Sequence, residues 1–446
     1  MSVAACALLV SMPACKKTKG CMDPEALNYN SEAEEDDGSC EYAQVNVPLG
    51  SETVTGDISS STTWSASKIY VLEGRVIVRS SATLTIEPGT IIKAKEGTGT
   101  NASALIVERG AKIMAEGTAS KPIIFTTVLD NIEVGQTSGT SLDENDRGKW
   151  GGLIILGNAP SSVENSDTEG QIEGIPANET YGKYGGSDAN DNSGKLAYIS
   201  IRHGGALIGA GNEINGLTLG GVGAGTSISN IEILSNVDDG IEFFGGTVNV
   251  TNLLIAYQDD DGIDIDQNYS GTIDNFYVVH GGSGTDEGLE IDGPEGSTHT
   301  GGLFTLKNGT VKSSDGKGSA GDLKSKAQGT IENVSFSGYS GKFLKFRASY
   351  SDTTDCNSIK SDAYKYLVDA SPKLIIKNCE LVTTQSLADV IDVYTASMTN
   401  DICTSNIETN AETAIANSGT SVVATATKGA NTSAFSWTWT SAKGKM

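Results

Sequence analysis

Apolar and polar residues alternate in short runs along most of the chain, and the runs recur. LTIEPGTIIKA from Leu84 is followed by LIVERGAKIMA from Leu105, 21 residues later. Six later segments share an apolar residue, one further residue and an asparagine: ISNIEIL, VTNLLIA, IDNFYVV, LKNGTV, IENVSF and IKNCEL. Their asparagines, Asn230, Asn252, Asn275, Asn308, Asn333 and Asn378, are spaced by 22, 23, 33, 25 and 45 residues. Such alternation predicts strands with every second side chain facing inward. A step near 22 is too short for a βαβ unit, which needs about 30 residues, and too short for a propeller blade, which needs about 40 or more. It fits one coil of a right-handed parallel β-helix, an all-β solenoid of three short strands per coil. The asparagine column predicts a ladder of stacked side-chain amides at one corner.

The pattern also sets boundaries. Residues 45–403 read as the β-helix. Between about 130 and 196 the period fails in text such as SDANDNSGK, which predicts a long loop excursion from one coil. Asp188, Asn190, Asp191 and Ser193 are candidate calcium donors there. Residues 404–446 lack the asparagine repeat and read as a C-terminal cap, with Phe435, Trp437 and Trp439 alternating as a capping strand. A solenoid requires such a cap because its end coil exposes backbone and core.

Composition narrows the partners. The 446 residues carry a net charge of −25 with 54 glycines. A strongly negative chain argues against nucleic acid, which needs clustered cations. Neither a P-loop nor a GxGxxG in strand–helix context is present, so no nucleotide is expected. Many of the glycines fall at predicted corners, where unusual backbone angles are needed.

Part of the charge is ordered. DDGIE, DDGID and DEGLE recur around Gly240, Gly262 and Gly288. On successive coils this stacks Asp238, Asp239 and Glu242 near Asp260, Asp261 and Asp264, and these near Asp286, Glu287 and Glu290. Coils about 4.8 Å apart bring these carboxylates close enough to repel. A cation relieves that, and calcium suits an all-oxygen donor set. These nine residues are the candidate metal site, with calcium as the expected cofactor. The Asp-Asp pair resembles one motif of polygalacturonases, but the Gly-His-Gly of that family is absent. GDLKSKAQGTIENVSF followed by KFLKFRASY resembles polysaccharide lyases of the alginate lyase and chondroitinase B type. That resemblance implies Lys324 as base and Arg347 as the cation stabilising enolate-like charge. Lys317 and Ser319 stand where that family carries calcium-binding acids.

The opening MSVAACALLVSMPACKK has a short apolar run before Met12-Pro13-Ala14-Cys15, which resembles a bacterial lipobox. The resemblance implies a signal peptide over residues 1–14, lipidation of Cys15 and membrane anchoring through that lipid. No Lys or Arg precedes the run. Residues 15–44 then form a linker and small module; GCMDPEALNYNSEAEEDDGSCEY resembles a cysteine-bracketed module of exported Bacteroidetes-like proteins, with Cys21 and Cys40 as its implied disulfide. Asp23, Asn28, Asn30, Asp36 and Asp37 are further oxygen donors within it. Cys356, Cys379 and Cys403 remain, and a Cys356–Cys403 bridge stays open. LTIEPGTII, LIVERGAKIMAEGTASKPIIFT, GKWGGLIILGNAP, IRHGG and DDGIEFFGGTVNV together resemble lipid-anchored or secreted β-helix proteins of Bacteroidetes-like bacteria.

The expected function is a rigid, non-enzymatic binding or adhesion module of the cell envelope. It would be an outer membrane lipoprotein engaging a polysaccharide or cell-surface ligand with calcium. The alternative is a polysaccharide lyase or another carbohydrate-active enzyme on the same scaffold.

Overall fold

The structure is a computed structural model that describes residues 17–23, 26–40, 50–208, 212–281, 284–352, 355, 358–394 and 406–446. The chain divides into two compact units, Met1–Gln44 and Val45–Met446. In the first, Lys19–Gly20 pairs in parallel with Glu35–Asp36, and a Cys21–Cys40 disulfide closes the loop. Asn30, Asp36 and Asp37 accept backbone N–H groups of Glu32, Gly38 and Ser39, so these oxygens close local turns. Residues 1–16, with the lipobox-like segment and Cys15, lie outside the described residues, as do Cys356 and Cys403; Cys379 is a buried free thiol. Among the described residues, no helix is long and apolar enough to cross a membrane.

The second unit is a parallel β-helix in which, among the described residues, 26 strands form one continuous hydrogen-bonded system. Each coil contributes to three sheets. In one coil these are Ser227–Ser229, Ile231–Leu234 and Ile241–Phe244, and each pairs with the equivalent segment one coil on. Inward positions such as Ile228, Ile231, Ile233, Ile241 and Phe243 are almost fully buried and stack on Val250, Leu253, Ile255, Ile263 and Ile265 of the next coil. Each such aliphatic contributes roughly 1.5–3 kcal/mol on burial, and the contribution repeats coil after coil.

The predicted ladder marks the corner between the first and second sheets. All six asparagines have positive φ, between 53° and 59°. A short amide tolerates this left-handed conformation because it bonds locally. Asn252 donates to Asn230 at 2.9 Å, Asn275 to Asn252 at 2.7 Å, and Asn333 to Asn308 at 2.7 Å. Between Asn275 and Asn308 the ladder breaks: Asn308 donates to Asp274, while the Asn275 amide pairs with the backbone N–H and C=O of Asn431.

Two expectations need correction. The stretch 130–196 is not one excursion, because Leu153–Leu156 within it is a fully buried strand pairing with Leu105–Val107 and Leu217–Gly220. Two loops therefore leave the coil, one before and one after that strand. In the second loop, Asp188 and Asp191 are occupied by Asn190, Asn158 and Ser193. The aromatic run near the C-terminus is also not a capping strand. Asn431 caps a helical turn at Thr432–Phe435, and the Thr438 hydroxyl accepts from Ser441 N–H at the start of Trp439–Ala442. These caps turn Phe435, Trp437 and Trp439 off the strand path. The end coil is covered instead by the helix Ile407–Asn417, which buries Ile407, Ala411 and Ile415 against the core. After a last strand, Ser421–Val423, the chain doubles back as a strap along the side of the solenoid. Phe435 and Trp439 pack on Leu234, Leu254, Tyr277 and Val279, and Trp437 meets the edge of Tyr198. The carboxylate of fully buried Glu232 accepts from the Trp439 and Thr440 N–H groups and lies 3.8 Å from the buried Arg202 guanidinium.

Candidate functional site

The third sheet and the turns leading into it carry the chemistry. Its strands Leu217–Gly220, Ile241–Phe244, Ile263–Asp266, Leu289–Ile291, Gly321–Leu323, Leu344–Arg347 and Ile391–Tyr394 stack in register. Inward positions are Leu, Ile and Phe; the alternate positions face outward because a strand has period two. One outward column runs Thr218, Glu242, Asp264, Glu290, Asp322, Lys345, Asp392. Two positions further along each strand, a second column contains Phe244 and Asp266 and, on later coils, Arg347 and Tyr394. Asp292 and Lys324 extend it between them, each following the last paired residue of its strand. Lys324 and Arg347 thus stand one coil apart on one face, as their spacing predicts.

The turn residues form a third column. Asp239 accepts the Asp261 N–H at 3.0 Å, and Asp261 accepts the Glu287 N–H at 2.7 Å. Each carboxylate therefore ties its coil to the next. Gly240, Gly262 and Gly288 follow because a Cβ there would strike the packed aliphatic of the neighbouring sheet: Ile255, Val278 and Val311 lie 2.2–2.6 Å from it.

Among the described residues, three groups of carboxylates have ligand atoms within 4.8 Å of one another: Asp238, Asp239 and Asp260; Asp239, Glu242 and Asp264; and Asp261, Glu287 and Glu290. Eight of the nine predicted metal-site residues are thereby brought together. Asp286 stands beside them, outside the three groups, with its carboxyl raised by burial and by Glu287. Burial and neighbouring acids push Asp238 up to about 7 and Asp266 up to about 8. The same causes raise Asp239, Glu242, Asp261 and Asp264 well above the usual carboxylate range.

The face is electrically divided. At one end Lys324 pairs with Glu290, and Lys345 pairs with Glu287 and lies 4.0 Å from Asp322. Arg347 lies 3.6 Å from Asp362. Despite burial, the bonds from Asp261 and Lys324 hold Glu290 below its usual value. Burial would lower Lys324, yet Glu290 and Asp292 hold it above its usual value. A lysine kept protonated this way supplies positive charge beside Glu290. At the other end, among the described residues, Asp238, Asp239, Glu242 and Asp264 form no ion pair with Lys or Arg. Asp264 Oδ1 is buried with no hydrogen-bond partner. Buried acids with an orphaned oxygen fit a hard divalent cation, and the donor set is all oxygen, as calcium prefers.

A family model described as a pectate-lyase-like beta helix domain matches residues 56–442. The chain belongs to that family. No curated protein and no solved structure matches it. In this pectate-lyase-like chain the outward columns contain residues outside the repeated sequence motifs: Asp266, Asp292, Asp322, Lys345 and Tyr394. Their signal is positional, the residue after each inward-facing position, as in IDID and GDL. Asn215 is a further one. Gly216 precedes Leu217 as Gly240 precedes Ile241, so Asn215-Gly216 fills the place of Asp239-Gly240 one coil earlier. Asn215 is 5% exposed and donates to Glu242.

Proposed function

We propose that this pectate-lyase-like β-helix protein is a carbohydrate-binding module of the cell envelope that holds an acidic polysaccharide along its third sheet through calcium. The observation that supports it is the division of that face. One end offers Lys324, Lys345 and Arg347 to carboxylates, and the other stacks acids that the protein leaves without cationic partners. Calcium at the acid end converts a repulsive surface into one that a uronate chain bridges. The alignment of binding groups over successive coils suits a linear polymer, whose residues contact one coil after another. The chain is anchored through lipidated Cys15, which makes it an outer membrane lipoprotein acting as a rigid adhesion element.

The test is a pull-down across a panel of uronate and neutral polysaccharides, with calcium and with chelator. Capture of uronate polymers only with calcium is expected; equal capture with chelator, or none from any polymer, refutes the reading.

A second reading, β-elimination of a uronate, is favoured by Lys324 and Arg347 standing on neighbouring coils of one column. A lyase moves the proton beside the carboxylate to a base while the glycosidic C–O bond breaks, so the departing sugar leaves as an alcohol and the other becomes unsaturated. Tyr394 cannot take that proton readily, because burial and Asp322 raise its hydroxyl far above neutrality. An ultraviolet signal from an unsaturated product, lost in Lys324→Ala, would establish catalysis in place of binding.

A further inference from the structure

Beside the acid end lies a cavity of about 40 Å³, walled by Ile154, Ile214 and Phe244 on its apolar side and by Asn215, Asp238 and Glu242 on its polar side. That volume accommodates an ion with a water. Asn215 holds the register position of Asp239 and Asp261, whose oxygens accept N–H groups from the next coil. Its own Oδ1 is buried and accepts nothing, while its Nδ2 is committed to Glu242. The amide is therefore oriented with its donor satisfied and its acceptor unused. Two loops meet at this cavity. Glu173 comes from the loop after Leu153–Leu156, Glu213 from the turn before Leu217, and Asn212 donates to Glu173 at 2.7 Å.

We propose that this cavity holds its own calcium ion, ligated by Asn215 Oδ1, Asp238 and Glu242, and that the ion clamps both loops to the third sheet. The proposal rests on the cation-binding reading of this face but assigns the ion a role separate from contact with polysaccharide. An amide oxygen beside two carboxylates is a donor set calcium accepts, and the apolar wall makes up the dry side of the site.

The test is calorimetric titration of the full chain with calcium chloride, with hydrogen exchange measured over residues 170–175 and 212–216. Wild type should bind calcium, and exchange in both segments should slow. Asn215→Leu should lose one calcium equivalent or bind it about tenfold more weakly, as loss of a group at a metal site does. Asn215→Asp, which keeps an oxygen at the same place, should retain the ion and guards against a folding defect in the leucine variant. Identical titrations for wild type and Asn215→Leu, or loop exchange indifferent to calcium in wild type and Asn215→Asp, would overturn the proposal. Calcium uptake lost in Asn215→Leu by a protein that captures no polysaccharide supports the cavity ion while removing the binding function. Calcium-dependent polysaccharide capture with no effect of Asn215→Leu on the titration does the reverse.

Discussion

Raising the pH of the calcium-free protein from 6.5 to 8 should destabilise it. Asp238 and Asp266 hold protons in the folded state up to about 7 and about 8, against ordinary values of 3.8. A carboxylate whose folded pKa is raised stabilises the fold fully only below its unfolded value. That stability declines as pH rises towards the folded pKa, because the unfolded chain has already released the proton. Two other sets of groups act in lower windows. Glu290, held below 4.5, loses its contribution only as pH falls below that value. His203 and His280, kept neutral by burial and with His280 at about 4, add stability as pH rises towards 6.5. Above 6.5 the raised carboxyls dominate, and Asp239, Glu242, Asp261 and Asp264 act in the same direction as Asp238 and Asp266. Linkage makes Asp238 and Asp266 together cost on the order of 2 kcal/mol between pH 6.5 and 8, and the other raised acids add to it. Calcium should cancel this, because the ion replaces the protons; at one hundred times its Kd it adds about 2.7 kcal/mol. The assay is urea unfolding followed by tryptophan fluorescence at several pH values, with chelator or with calcium. Stability that rises from pH 6.5 to 8 without calcium, or calcium that stabilises equally at pH 4 and pH 8, refutes the electrostatic account of the acid stack.

Three further outcomes follow from the fold. Asn252→Ala loses two amide bonds of about 1 kcal/mol each and places an alanine at φ 58°, so it should cost about 3 kcal/mol in urea unfolding. Asn252→Gly should recover about 1 kcal/mol of that by relieving the backbone. Glu232→Ala should cost about 3–5 kcal/mol by stranding buried Arg202, and protease should then cut the strap within residues 424–431, where wild type resists. Cys15→Ser should abolish incorporation of labelled fatty acid in cells; unchanged labelling would remove the lipid anchor.

The solenoid was readable because its coils repeat the same physical problem. Each corner needs a residue that tolerates positive φ and bonds its neighbour, so Asn230, Asn252 and Asn275 recur at nearly one coil's length. The acidic columns were readable for the same reason, since Asp239 and Asp261 repeat a bond to the next coil. What happens only once left no such trace. Asn215 replaces an aspartate in a turn whose surroundings differ, and Leu153–Leu156 is isolated between two loops. Phe435, Trp437 and Trp439 have the spacing of a strand, yet the capping bonds of Asn431 and Thr438 decide their backbone. The lyase resemblance implies a base at Lys324 from local sequence, and only the fold shows that its ammonium pairs with Glu290 on the preceding coil.

The strap changes how such a solenoid comes apart. Stacked coils ordinarily interact with nearest neighbours alone, so they fray from either end and melt in stages. Here the last residues reach Glu380, Thr310, Asn275, Tyr257, Glu232 and Glu144 in turn, across sequence separations of up to 301 residues. A single segment thereby couples coils that share no direct contact, and opening any one of them loosens the segment along the others. Unfolding becomes cooperative over the middle of the molecule. Folding inherits a fixed order as well. Arg202 and Glu232 are sealed only once residues 439–440, more than 200 positions later in the chain, have been made.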